Sequence, residues 1–489
     1  MSAYYTSTDH FVLLPGLLLS LFGCALLLID IFVLPEARQK KWMLGFLMLG
    51  EGFAAAALFR QHMYSSAFNY EPLQAFQGGL VIDGFSLLFN WMLLAATALV
   101  ALISYRYLDI EGEHHGEYYS LLLLAQAGMF FLAAGTELVT VFVGLELMTV
   151  SFYVMVGFLR GDRRSNEAAM KYILLGAFSS GFLAYGFSLL YGLTGSTRLG
   201  AITDALSLRD PFDPLLCLAL VTTGVGLLFK IAVVPFHMWA PDVYEGAPTA
   251  VTAFLSVASK AASFAFLLRL TLGPFAASRA AWEPVLGGIA LLTLTVGNFA
   301  AITQTNVKRL LAYSSISHAG YALLGIIAGN GTGIQGTAIY LAVYTFMNLG
   351  AFLVVVALRR EGIRGDEVDD LTGLMHSSPA YAVLMLVFLL SLAGIPPTAG
   401  FIAKYYIFLA LIQTEHYALA IAAAIYVAVA LYYYFRLVRR MFTGELREAA
   451  PLASSMGLKL AMGTSALVTL GAGLFPEPLV RLAQNSLFR

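Results

Sequence analysis

A chain of 489 residues that is 59% hydrophobic and only 12% charged lies outside the composition range of soluble globular domains. Its net charge of −1 argues against a nucleic-acid-binding surface. Two cysteines, Cys24 and Cys217, sit in separate apolar segments, match no CxxC or Cys/His metal pattern and read as inert packing residues.

Apolar runs of bilayer length, about 20 residues, recur from end to end. Met1 to His10 carries no basic n-region, so no cleaved signal peptide is expected. In chain order the hydropathy predicts fourteen spans, at 11–34, 42–60, 81–104, 118–134, 138–159, 169–193, 212–241, 247–270, 282–304, 307–328, 334–358, 379–413, 417–440 and 457–476. The seventh carries Lys230, Pro235 and Pro241; the twelfth carries Pro396 and Pro397 between Gly394 and Gly400. Proline removes a backbone donor and clashes one turn back, so both helices are predicted to break. Non-helical backbone at membrane depth survives only inside protein or beside a wet cavity.

The predicted fold is an all-α polytopic membrane protein of about 14 transmembrane helices. Each broken helix is the fourth member of a five-helix unit, helices 4–8 and 9–13. Five is odd, so the second unit is inverted relative to the first, an arrangement that places ion sites near the midplane. The predicted organisation is 1–117 (helices 1–3), 118–270 (first unit), 282–440 (second, inverted unit) and 441–489 (helix 14). Basic residues gather on one set of loops, among them Arg38, Arg106, Arg160, Arg163, Arg164, Lys308, Arg309, Arg360, Arg364, Arg436, Arg439, Arg440 and Arg447. The positive-inside rule puts that set in the cytoplasm and both termini outside.

Four charges interrupt the apolar spans: Glu146, Lys230, Lys260 and Lys404. A charge at membrane depth costs at least about 2.5–3.5 kcal/mol and is a functional-site hypothesis by default. The spacing predicts a Glu146–Lys230 ion pair between helices 5 and 7. At about 4 Å and an effective dielectric of about 20, such a pair is worth about 4 kcal/mol. Moving one charge against about 200 mV costs about 4.6 kcal/mol, so opening and closing the pair matches the work of moving one proton. Lys260, central in helix 8, and Lys404, after the break in helix 12, suit relay sites. His237 in PFHMW and His318 in SSISHAGY could carry protons between lysines. Lys171, at the start of helix 6, suits proton entry. Glu51, midway along helix 2, lies outside both units, and a subunit contact is as fitting for it as a relay.

Several blocks carry a resemblance. PFHMWAPDVYEGAPT with Lys230 before it and VTAFLSVASKAA after it, NVKRLLAYSSISHAGY, and LSLAGIPPTAGFIAKYY resemble the subunit N family of the bacterial proton-pumping NADH:quinone oxidoreductase, respiratory complex I. The resemblance runs through residues 80–440. It implies that the family's essential glutamate and three relay lysines fall on Glu146, Lys230, Lys260 and Lys404, its bridging histidine on His237 and a helix-6 lysine on Lys171. It also implies subunits K and M as flanking partners and a place in the bacterial cytoplasmic membrane. NADH, FMN, iron–sulfur clusters and quinone would belong to other subunits, with no cofactor in this chain, which itself contains no Rossmann, P-loop, haem or iron–sulfur motif. The same superfamily includes multisubunit cation/proton antiporters and related photosynthetic and F420-type complexes, which are the alternative expectation.

Overall fold

The computed structural model describes residues 5–34, 40–359, 365–443, 452 and 455–485. The predicted cytoplasmic Arg38, Arg360, Arg364 and Arg447, and the two chain ends, lie outside these residues. The chain opens with α1 (Ser7–Leu28), capped by Thr6 and running on into a π turn at Ile29–Val33. Then come α2 (Met43–Ala67), a small hairpin of β1 (Leu73–Ala75) and β2 (Leu80–Ile82), and α3 (Gly84–Glu111). The antiparallel hairpin pairs Leu73 with Ile82. It is a local exception to the predicted all-α character.

The first predicted unit begins with α4 (Gly116–Ala134), α5 (Leu138–Val156) and α6 (Arg163–Thr194), followed by a short surface helix α7 (Leu199–Ser207). Asp213 caps α8 (Pro214–Lys230), which puts Pro214 at a position where its missing N–H is harmless. The helix stops at Lys230. The chain then passes Ala232 in the left-handed region, φ 57°, and a cis Val234–Pro235 bond before α9 (Trp239–Gly246). The predicted segment 212–241 is therefore two pieces. Pro241 begins no break; it sits in the first turn of α9, where helices tolerate proline. Next, α10 (Thr249–Phe254), a π turn at Leu255–Ser259 and α11 (Lys260–Leu272) form one continuous, fully buried rod.

The second predicted unit holds α12 (Arg279–Ile302), α13 (Val307–Ala328), capped by Asn306, and α14 (Gly331–Leu358). A short α15 (Leu374–Ser377) precedes α16 (Pro379–Ala393), which ends at Gly394 with φ 85°. After a cis Pro396–Pro397 bond the chain resumes as α17 (Ala399–Gln413), followed by α18 (Tyr417–Thr443), α19 (Met456–Leu474) and an amphipathic α20 (Glu477–Asn485). Glycine is required at 394. L residues rarely adopt that conformation, and an added Cβ would meet Lys404 Cδ at 2.7 Å.

Twelve of the described helices are long and apolar enough to cross a membrane, and three shorter apolar helices are α8, α16 and α17. The interrupted segments, α8 with its break and α16–α17, fall on the seventh and twelfth predicted spans. Packing separates the helices into an inner and an outer set. The α10–α11 rod, α13 and α14 are almost wholly buried, whereas α1, α18 and α19 turn most of their surface outward. Lys260 and His318 lie on the α10–α11 rod and on α13, among these inner helices.

Toward one end, Asp83 caps α3 and takes a two-pronged ion pair from Arg269 of α11, with both contacts 3.0 Å. Arg269 also donates to the Ala133 carbonyl at 2.9 Å and lies over the Phe85 ring. The predicted packing role of the cysteines is not what the fold gives them: Cys24 is exposed and Cys217 is partly so, because both lie on outward helix faces.

Candidate functional site

Lys230, Lys260 and Lys404 are 3%, 2% and 5% exposed, so each ammonium must be satisfied by protein groups. Lys230 is the last residue of α8. Helix C-termini present unpaired carbonyls and a negative partial charge, so an ammonium is favoured there. Its Nζ donates to Thr149 Oγ1 of α5 at 3.0 Å. Thr149 lies one turn beyond Glu146. The Glu146 carboxylate instead accepts the Ser180 hydroxyl of α6 at 2.5 Å. The predicted direct Glu146–Lys230 contact is thus open, because a hydroxyl occupies each partner. The glutamate remains close enough for its charge to act on Lys230.

Lys404 makes the corresponding contact at the second break. Its Nζ reaches back from α17 to the carbonyls of Leu392, at 3.1 Å, and Ala393, at 2.7 Å, at the end of α16. It also lies 5.0 Å from the centre of the Tyr321 ring, a favourable place for a cation. Both interrupted helices therefore hold a buried lysine at the carbonyl end of a half-helix.

Lys260 is the first residue after the π turn. Its Nζ donates to the Ser315 carbonyl at 2.9 Å and the Ser315 hydroxyl at 2.5 Å. The hydroxyls of Tyr244 and Tyr344 approach the same serine. One turn along α13 from Ser315 stands His318, 4% exposed, with Nδ1 2.6 Å from the Tyr340 hydroxyl and Nε2 3.2 Å from the Tyr434 hydroxyl. Both Lys260 and Lys404 act on it electrostatically. Tyr321 is one turn further and faces Lys404. Ser315, His318 and Tyr321 recur every three residues, so one stripe of α13 joins the two lysines.

His237 is placed differently. It is half-buried in the loop after the first break, between exposed Pro235 and Met238. Its Nδ1 is buried without a hydrogen-bond partner, and it makes no side-chain contact of that kind with Lys230 or Lys260 among the described residues.

Lys171 lies two turns into α6 rather than at its start, because the helix begins at Arg163. It is half-exposed and bonded to Asp242 at 2.7 Å and Glu167 at 2.9 Å. Arg309 binds the same Asp242 at 2.8 Å and Glu245 at 3.0 Å. These residues, with Arg164, line an open cavity of about 270 Å³. Burial alone would raise the Asp242 carboxyl, but hydrogen bonds from Lys171 and Arg309 hold it below its ordinary value.

Glu51 is 3% exposed and sits between α2 and α4, where Gln126 Nε2 donates to it at 3.1 Å. This removes the subunit-contact expectation: the carboxylate points into the chain. Sequence reasoning found the charged residues because they interrupt apolar runs. It missed the hydroxyl and tyrosine partners Thr149, Ser180, Ser315, Tyr340 and Tyr434, which no hydropathy pattern singles out.

The family described as NADH:quinone oxidoreductase/Mrp antiporter, TM, matches residues 135–431. NADH-quinone oxidoreductase subunit N 2 of Solibacter usitatus is 63% identical over 489 residues, covering 100% of this chain and 99% of that protein. A chain of respiratory complex I from Thermus thermophilus superposes with a TM-score of 0.80 at 33% identity, over 96% of this chain and 99% of that one. A chain of the Mrp complex from Dietzia superposes with a TM-score of 0.84 at 23% identity, over 97% of both, a likeness of fold. The chain belongs to the NADH:quinone oxidoreductase/Mrp antiporter transmembrane family, within its NADH-quinone oxidoreductase subunit N branch.

Proposed function

We propose that this chain is an antiporter-like membrane-arm subunit of a proton-translocating NADH:quinone oxidoreductase. It moves protons along its buried lysine row while quinone is reduced elsewhere in the complex. The observation that carries this reading is the near-complete burial of Lys230, Lys260 and Lys404, each held on hydroxyls or backbone carbonyls. Static packing would be served as well by apolar side chains of similar volume. A buried lysine is worth its desolvation cost where the charge must come and go.

In this reading the basic end of the bundle faces the cytoplasm of a bacterial cytoplasmic membrane, and both chain ends face outward. Helices 4–8 and 9–13 act as the two inverted units, each with one broken helix. Protons enter near Lys171 and Asp242. They are stored at Lys230 under the control of Glu146, pass to Lys260, cross by His318 and are handed to Lys404. His237, at the edge of the row, serves as a side acceptor near Lys230. The buried Thr223 hydroxyl, without a hydrogen-bond partner among the described residues, is a position that ordered water would satisfy.

Glu146 supports membership of a larger assembly. It lies on the outward stripe of α5, where Val143 is 60% and Val150 52% exposed. A carboxylate facing hydrocarbon at that depth is untenable, so a neighbouring subunit covers this face; subunits K and M are the proposed neighbours. NADH, FMN, iron–sulfur clusters and quinone are assigned to other subunits, and none to this chain. Replacing Lys230 with alanine in the intact complex tests the reading. Quinone reduction linked to pumping falls sharply while assembly is kept; full activity would overturn it.

A further inference from the structure

Lys260 owes its direction to the π turn before it. Such a turn inserts one extra residue and often marks a functional site. In a regular helix each residue turns the face by about 100°. Loss of the extra residue would swing Lys260 away from Ser315.

Within the turn, Ser256 is fully buried. Its hydroxyl donates to the Ala253 carbonyl at 2.8 Å and accepts from Asn348 Nδ2 of α14, also at 2.8 Å. Asn348 is fully buried too, and its Oδ1 has no hydrogen-bond partner among the described residues. Burying an amide in the middle of an apolar helix is costly, and the bond to Ser256 offsets part of that cost. The same edge of α14 carries Tyr344 and Tyr340 one and two turns earlier. Tyr344 packs on the His318 ring, with centroids 5.0 Å apart, and Tyr340 bonds its Nδ1. One polar edge of α14 thus runs from His318 to the turn that carries Lys260.

We propose that Asn348 is a positioning residue for Lys260: its amide clamps Ser256 and so holds the π turn that delivers the ammonium to Ser315. The proposal rests on the reading of Lys260 as a proton carrier. It is tested in the intact complex reconstituted into proteoliposomes, by measuring NADH-driven proton translocation per assembled complex. Loss of one buried hydrogen bond, about 1 kcal/mol, corresponds to about a fivefold fall in translocation for Ser256→Ala and for Asn348→Leu. The double variant falls no further than the worse single one, because both remove the same bond. Ser256→Thr, which keeps the hydroxyl, restores translocation; a purely structural packing role would give neither effect. Additive losses, or native translocation in Ser256→Ala, overturn the clamp, and the serine variant decides the matter even where Asn348→Leu fails to assemble. Lys260→Ala separates the two levels. A loss there with native Ser256→Ala overturns the clamp alone, whereas native translocation in Lys260→Ala overturns the functional reading with it.

Discussion

Thr149 decides which partner Lys230 holds. Its hydroxyl accepts the ammonium at 3.0 Å while Glu146 is engaged by Ser180. Replacing Thr149 with valine removes the oxygen and keeps the shape. A hydrogen bond to a charged group is worth about 1.5–3 kcal/mol, which is about 10- to 150-fold in an equilibrium constant. The competing contact, a closed Glu146–Lys230 pair, is worth about 4 kcal/mol at an effective dielectric of about 20. With the Ser180 bond to Glu146 counted as well, the open arrangement holds about 3–6 kcal/mol against about 4 for the closed pair, so removal of the Thr149 bond tips the balance. Without it the closed pair is favoured, and the ammonium is held in its charged form by the adjacent carboxylate. Proton transfer from Lys230 onward then slows by about tenfold or more. The assay is NADH-driven proton uptake by inverted membrane vesicles, normalised to assembled complex. Native uptake in Thr149→Val would refute the idea that hydroxyls hold the pair open.

Two further outcomes follow from the fold. Gly394→Ala places a side chain in the left-handed region, at about 1–2 kcal/mol, and drives its Cβ against Lys404 Cδ; Lys404 leaves the α16 carbonyls and quinone reduction falls about tenfold in complex of normal abundance, an expectation that a native rate would contradict. Asp83→Asn leaves the guanidinium of Arg269 without its buried carboxylate, a loss of about 3–5 kcal/mol for a pair this enclosed, so the thermal midpoint of the complex drops; an unchanged midpoint would refute that account.

Much of the site was legible because charge in an apolar run is a strong signal. Glu146, Lys230, Lys260 and Lys404 stand out for that reason, and Pro235 and the Pro396–Pro397 pair mark the two breaks. Proline chemistry is local, so it survives without tertiary context. What the residues touch was not legible. Ser, Thr and Tyr occur throughout membrane helices, and only the packing of α5 on α6, or α13 on α14, selects Thr149, Ser180 and Tyr340. The π turn before Lys260 has no sequence signature in its run of small and apolar residues. For Glu51 a subunit contact and a relay were equally open in the sequence, because α2 is apolar nearly all round and its inward face carries no mark. Asp83 and Arg269 sit at helix ends, where charges are ordinary, and only the fold pairs them.

The central claim is that the buried lysines carry protons rather than merely fill the bundle. Its most direct test is the number of protons translocated per quinone reduced by proteoliposomes containing the complex with Lys404→Ala, the lysine held at the second break. The relay predicts an assembled complex whose proton-linked turnover is largely lost. An unchanged ratio at an unchanged rate would contradict it.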